Sequence, residues 1–152
     1  MKTPAFLEPL LRKTLGECVL VDAKRGSVLA SRVESAFDSQ TRKKGLLGRE
    51  TIVADYALII APSNAVHTWF MRAPIDVVFV SRDGTVTKTR RGVKPWRIIG
   101  SLRAFAVIEA AEGLIDRHGL QPGDVVAVRE VHRVESSEKG GRSPLDKSCR
   151  PT

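Results

Sequence analysis

A chain of 152 residues, 42% hydrophobic and 28% charged, has room for one domain that buries roughly two-thirds of its unfolded surface, and no repeat period divides it. Its formal charge of +8 is unevenly placed: residues 82–103 carry seven cations against Asp83, and the residues from 136 onward carry four against two acids. Cys18 and Cys149 exclude a disulfide framework and lack zinc-site spacing, and no apolar run approaches the roughly 20 residues of a membrane span.

In chain order the elements are mostly strands. The N-terminal MKTPAFLEPLLRKTLGE is broken by Glu8, Pro9, Arg12 and Lys13, too early for a signal peptide, so a cytoplasmic protein is expected. ECVLVDA (17–23) and SVLASRV (27–33) flank Lys-Arg-Gly and read as a hairpin. Asp38 is placed to cap a short helix through SQTRKKGLL, which Gly45 and Gly48 loosen at its end. ALIIA (57–61) reads as a covered strand. VHTWFM (66–71) reads as a strand with His67, Trp69 and Met71 on one face and Val66, Thr68 and Phe70 on the other.

Pro74 ends that strand, and DVVFVS follows at once. Arg-Asp-Gly then TVTKTRR predicts a second hairpin whose outer arm, rich in Thr, Lys and Arg, suits a sheet edge. AFAVIEA (104–110) is a covered strand. AEGLIDRHG has helical spacing and stops at Gly119, and Gln-Pro-Gly-Asp turns the chain into VVAVREVHRV. The prediction is an N-terminal extension over 1–16, one globular domain over 17–135 and a flexible tail over 136–152 rich in Ser, Gly, Lys and Glu. Its fold class is α+β, strand-rich: a compact curled or barrel-like, mostly antiparallel sheet with two short helices.

RKKGLLGR (42–49), HTWFMRAPIDVVFVSRDGTV (67–86), Lys-Pro-Trp-Arg (94–97), AVIEAAEG (106–113) and GLQPGDVV (119–126) occur in that order. In this the chain resembles the bacterial and archaeal domain-of-unknown-function family numbered 192, over about residues 17–130. Leu47 stands where that family usually has methionine, and AVIEAAEG replaces its commoner Leu-Glu-Leu-Pro-Ala-Gly. The resemblance implies a small domain of curled β-sheet with short helices, and it implies no reaction.

The Ala-Pro-Ile break before Asp76 reads as a corner, with the Asp76 carboxylate accepting backbone amides at that turn. Read functionally, Asp76 is a carboxylate at a strand edge near Trp69 and Met71, able to orient a ligand or take a proton. Glu109 follows Phe105, Val107 and Ile108, so burial would oblige it to find a partner, Arg42 or Arg72, or to form an acid/base couple with Asp76. His67, His118 and His132 fall on separate elements, so no metal is expected, and no cofactor fingerprint is present.

The favoured reading is a non-catalytic binding or accessory module. It would use Trp69, Met71, Lys94, Trp96 and Arg97, with residues 82–103 forming one positive face, to hold an anionic ligand, peptide or acidic protein surface. The alternatives are a hydrolase-like or isomerase-like enzyme using Asp76 and Glu109, and a nucleic-acid binder through the basic stretch 82–103.

Overall fold

The computed structural model describes residues 5–11, 17–46, 49 and 51–131. The expected C-terminal tail, His132, Cys149 and Leu47 lie outside the described residues. A 3-10 turn (Ala5–Leu7) leads into α1 (Glu8–Leu11). The strands β1 (Glu17–Asp22), β2 (Val28–Ala30) and β3 (Arg32–Ala36) precede α2 (Ser39–Lys44). Next come β4 (Tyr56–Ile60), β5 (Ala65–His67), β6 (Ile75–Val80), β7 (Val86–Val93), β8 (Ile98–Gly100) and β9 (Ala106–Ala111). The described chain ends with α3 (Leu114–His118) and β10 (Val126–Val131).

These strands form three sheets, ordered β10-β1-β2, β3-β4-β9-β6-β7 and β5-β8. All pairings are antiparallel except β3 with β4. The fold is therefore strand-rich α+β and mostly antiparallel, and none of the sheets closes into a barrel. Two expected helices are present as α2 and α3, and α1 adds a third. Local chemistry explains their ends. Asp38 Oδ1 accepts the amides of Gln40 and Thr41 at 2.9 Å, and Gly119 takes the left-handed conformation that ends α3.

The stretch 27–33 is two strands rather than one. Ser31 bends the chain so that β2 pairs with β1 while β3 leaves for the five-stranded sheet. The β6–β7 hairpin forms where Arg-Asp-Gly predicted it, and β7 lies at the sheet edge. Gly84 is needed there, because its φ is +87° and a Cβ would collide with the Val126 carbonyl.

The central strands β4, β6 and β9 are buried along their whole lengths. Each face of their sheet carries its own core. Val78, Val80, Ile108 and Ala110 pack with Leu20, Val128, Leu114 and Ile115, joined by Phe6 and Leu7. On the other face Leu58, Ile60, Val77, Phe79 and Val107 pack with Leu46, Val66 and Met71. That second face has thinner cover: the end of α2 on one side and the β5–β8 ribbon on the other. Among the described residues a cleft opens between them.

Candidate functional site

The expected strand through 66–71 stops at His67, and the reason is Thr68. Thr68 is fully buried, and its hydroxyl donates to the Lys94 carbonyl at 2.7 Å while accepting the Arg97 amide at 3.0 Å. Its own amide reaches the Arg97 carbonyl at 2.8 Å, and its carbonyl takes the Trp96 amide at 3.0 Å. These bonds lock the Lys-Pro-Trp-Arg loop onto the end of β5 and turn the chain away from strand geometry. Phe70 and Trp96 both have positive φ, 62° and 64°, which is costly for a side chain with a Cβ. The surrounding bonds hold them there.

The alternation read from sequence fails as a result. Met71 is buried, whereas Trp69 is 42%, Phe70 67% and Trp96 57% exposed. Trp69 stacks on His67 with ring centroids 5.1 Å apart, and Phe70 meets Trp96 edge-on at 4.7 Å. Ile98, opposite His67 in the ladder, is 67% exposed. Four rings and an isoleucine thus form a fixed apolar ledge at the tip of the β5–β8 ribbon.

Beside β5 lies an open cleft of about 470 Å³. Ser63, Ala65, Val66 and His67 line one wall, and Ser39, Arg42, Lys43 and Lys44 of α2 line the other. Ile60, Met71, Leu46 and Glu109 also face it. Glu109 is almost wholly buried, and its Oε2 accepts the Leu46 amide at 3.2 Å. Burial pushes its pKa up to about 7, with the Leu46 amide pulling the other way. Near neutrality this carboxyl is partly protonated and can donate as well as accept. The expected arginine partner is replaced by a backbone amide: the Arg42 guanidinium bonds the Phe37 carbonyl at 2.7 Å, and Arg72 is exposed.

Asp76 sits elsewhere. It pairs with Ala110 and Val77 pairs with Glu109, and directly opposite residues share a face, so the two carboxylates point to opposite faces of the sheet. They cannot act as one acid/base couple. Asp76 Oδ1 accepts the Gly92 amide at 2.9 Å, and Oδ2 accepts those of Gly113 and Ile115 at 3.1 and 2.9 Å. Asp76 does accept backbone amides, yet from β7 and the start of α3 rather than from its own turn.

The basic stretch is divided by the pleat of β7. Arg91 pairs with Asp116 of α3 at 2.6 Å, while Lys88, opposite Phe79, lies on the other face and donates to the Gly100 carbonyl at 2.6 Å. Arg82 lies over the Phe105 ring at 4.2 Å. Lys94 and Arg97 are exposed on the locked loop. The cations that line the cleft come instead from α2, a set that sequence reasoning passed over because nothing local tells which way a six-residue helix faces. Among the described residues no three His, Cys, Asp or Glu side chains group to hold a metal ion, and no helix is long and apolar enough to cross a membrane.

The family model DUF192, described as "Uncharacterized ACR", matches residues 20–128. The chain belongs to the DUF192 family. The DUF192 domain spans every element from within β1 into β10, so the cleft, the ledge and the Asp76 node all lie inside it. Two solved structures are similar. A proposed transcription regulator from Sinorhizobium meliloti 1021 is 24% identical, with a TM-score of 0.63 over 74% of this chain and 92% of that one. A protein of unknown function from Novosphingobium aromaticivorans is 25% identical, with a TM-score of 0.62 over 72% of this chain and 82% of that one. No curated protein matches the chain. These likenesses carry the fold and assign no chemistry to the cleft.

Proposed function

We propose that this DUF192 domain is a non-catalytic binding module that holds an anionic ligand, peptide or acidic protein surface in the cleft between α2 and β5. The observation that carries the reading is the asymmetry of the cleft. One wall brings Arg42, Lys43 and Lys44, and the only acid among its described lining residues is the buried Glu109. Cations in a concave site raise the local concentration of anions. Trp69, stacked on the cleft-lining His67, and the exposed Trp96–Phe70 pair supply rigid apolar area of the kind that dominates binding energy in recognition surfaces. Lys94 and Arg97 are exposed on the same loop as Trp96.

The enzymatic alternative loses its main support, since Asp76 and Glu109 lie on opposite faces and the three amides on Asp76 account for it structurally. A nucleic-acid role through residues 82–103 is weakened by the division of those cations between two faces.

A thermal-shift series with citrate, pyrophosphate, a glutamate-rich peptide and a short oligothymidylate tests the reading. A ligand that binds only the folded state raises the melting temperature by linkage. At least one anion is expected to do so, and the Arg42→Glu, Lys43→Glu double variant should lose the effect. A flat response to all four, or a response indifferent to the double variant, overturns it.

A further inference from the structure

Among the described residues, the ladder between β5 and β8 leaves one edge of β5 without a strand partner. Thr68 donates its amide to the Arg97 carbonyl, and Ser101 donates to the Asn64 carbonyl, at 2.8 Å each. With Val66 opposite Ile99, the hydrogen-bonded positions of β5 are 64, 66 and 68. Ala65 and His67 therefore direct their backbone groups away from β8. Ser63 Oγ donates to the Ala65 carbonyl at 2.8 Å. Among the described residues the amides of Ala65 and His67 and the carbonyl of His67 take no partner from β8, and both residues line the cleft.

Exposed strand edges invite another strand, and proteins usually blunt them with charge. The edge strand β7 follows that rule with Lys88, Arg90 and Arg91. β5 does not: its residues are Ala65, Val66 and His67. The charge lies across the gap instead, on α2. Such a layout admits a backbone on one side and demands acidic side chains on the other.

We infer that an extended acidic segment of a partner protein adds to β5 as a strand in this cleft, its carboxylates facing Arg42, Lys43 and Lys44 and alternate apolar side chains resting on the ledge. The inference rests on the binding-module reading and gives it a mode. Main-chain bonds to Ala65 and His67 supply affinity that does not depend on sequence, and the cationic wall and aromatic ledge supply selection. Side chains of an added strand alternate between its two faces, which suits one charged and one apolar surface. Glu109 opposes an acidic guest less than an ordinary carboxylate would, because burial raises its pKa to about 7. The ledge is already rigid through Thr68, so little ordering accompanies binding.

The test pans a library of short displayed peptides against the full chain and measures the enriched sequences by fluorescence polarisation. Acidic residues alternating with apolar ones are expected to be enriched. The Arg42→Glu, Lys43→Glu variant should weaken those peptides by about tenfold or more. His67→Pro removes an amide that the β5–β8 ladder does not use, and it should weaken them by about tenfold. Amide exchange on the unaltered protein provides a readout free of folding defects: the Ala65 and His67 amides should gain protection when peptide is added. Citrate binding with no peptide enrichment overturns the added strand and leaves the anion module standing. Enriched peptides that protect neither amide overturn it too, as does an oligothymidylate that binds more tightly than every peptide. Failure of every anion to bind overturns both.

Discussion

The Leu46 amide lies 3.2 Å from Glu109 Oε2, a single bond that ties the loop after α2 to the buried face of β9. It joins two of the sequence motifs, RKKGLLGR and AVIEAAEG, into one floor for the cleft. It also gives a nearly wholly buried carboxyl one described hydrogen-bond partner where a charged carboxylate would want several.

A pH dependence follows, with a definite sign. The pKa of Glu109 is raised from 4.5 to about 7 in the folded protein. Its contribution to stability is therefore fully present below the unfolded value and is lost as pH rises through about 7. The shift corresponds to about 3 kcal/mol between the acid and alkaline limits. Arg42, Lys43 and Lys44 of α2 and His67 of β5 are the other charged or titratable groups lining the cleft with it. Glu109→Gln should therefore be more stable than the parent at about pH 8 and close to it at about pH 5, as read by urea unfolding at each pH. Parallel curves at both would contradict the burial account.

Gly45 stands at the same junction. Its φ of 47° with ψ of −132° is a glycine conformation, and a Cβ would lie 3.2 Å from Glu109 Oε2. Gly45→Ala should destabilise by about 1 to 3 kcal/mol. In a Glu109→Ala background the loss should shrink, since the steric part is gone while the backbone part stays. Thermal unfolding of the two singles and the double measures that coupling.

Asp76→Asn is expected to destabilise by about 2 to 4 kcal/mol, because one accepting carboxylate oxygen becomes an amide NH2, a donor facing a backbone donor. The three amides it serves belong to β7 and the start of α3, so both elements should lose protection from amide exchange together. A rise in melting temperature for this variant would mean that the carboxylate is strained for a task rather than structural.

What the sequence disclosed was local. Asp38 before a helix, Gly84 in a tight hairpin, Gly119 after α3 and the apolar runs of β4, β6 and β9 each declare themselves within a few residues, and all are where they were expected. What stayed hidden depends on register and contact. Ser31 sends two halves of one apolar run to different sheets. The faces of Asp76 and Glu109 follow from the pairing of β6 with β9. The end of β5 at His67 is set by bonds between Thr68 and a loop 26 to 29 residues away. The Leu46 amide is backbone, and no residue type announces it.

Thr68→Val keeps the shape and removes the hydroxyl that donates to Lys94 and accepts from Arg97. A loss of about 1 to 2 kcal/mol is expected. The 94–97 loop should exchange its amides faster while the central strands stay protected, and binding at the cleft should weaken as the ledge loses its rigidity. Unchanged exchange in the loop would show that Thr68 is not what holds it.

Both tryptophans of the chain, Trp69 and Trp96, belong to the exposed ledge, and Trp69 stacks on the cleft-lining His67, so intrinsic fluorescence reports on the ledge. Binding in the cleft is therefore measured by a fluorescence titration of the full chain with an acidic peptide and with citrate, repeated on the Arg42→Glu, Lys43→Glu variant. A saturable change in tryptophan emission is expected, lost in the variant and diminished by salt. Emission that stays constant through both titrations, or that changes equally in the variant, would contradict binding in the cleft.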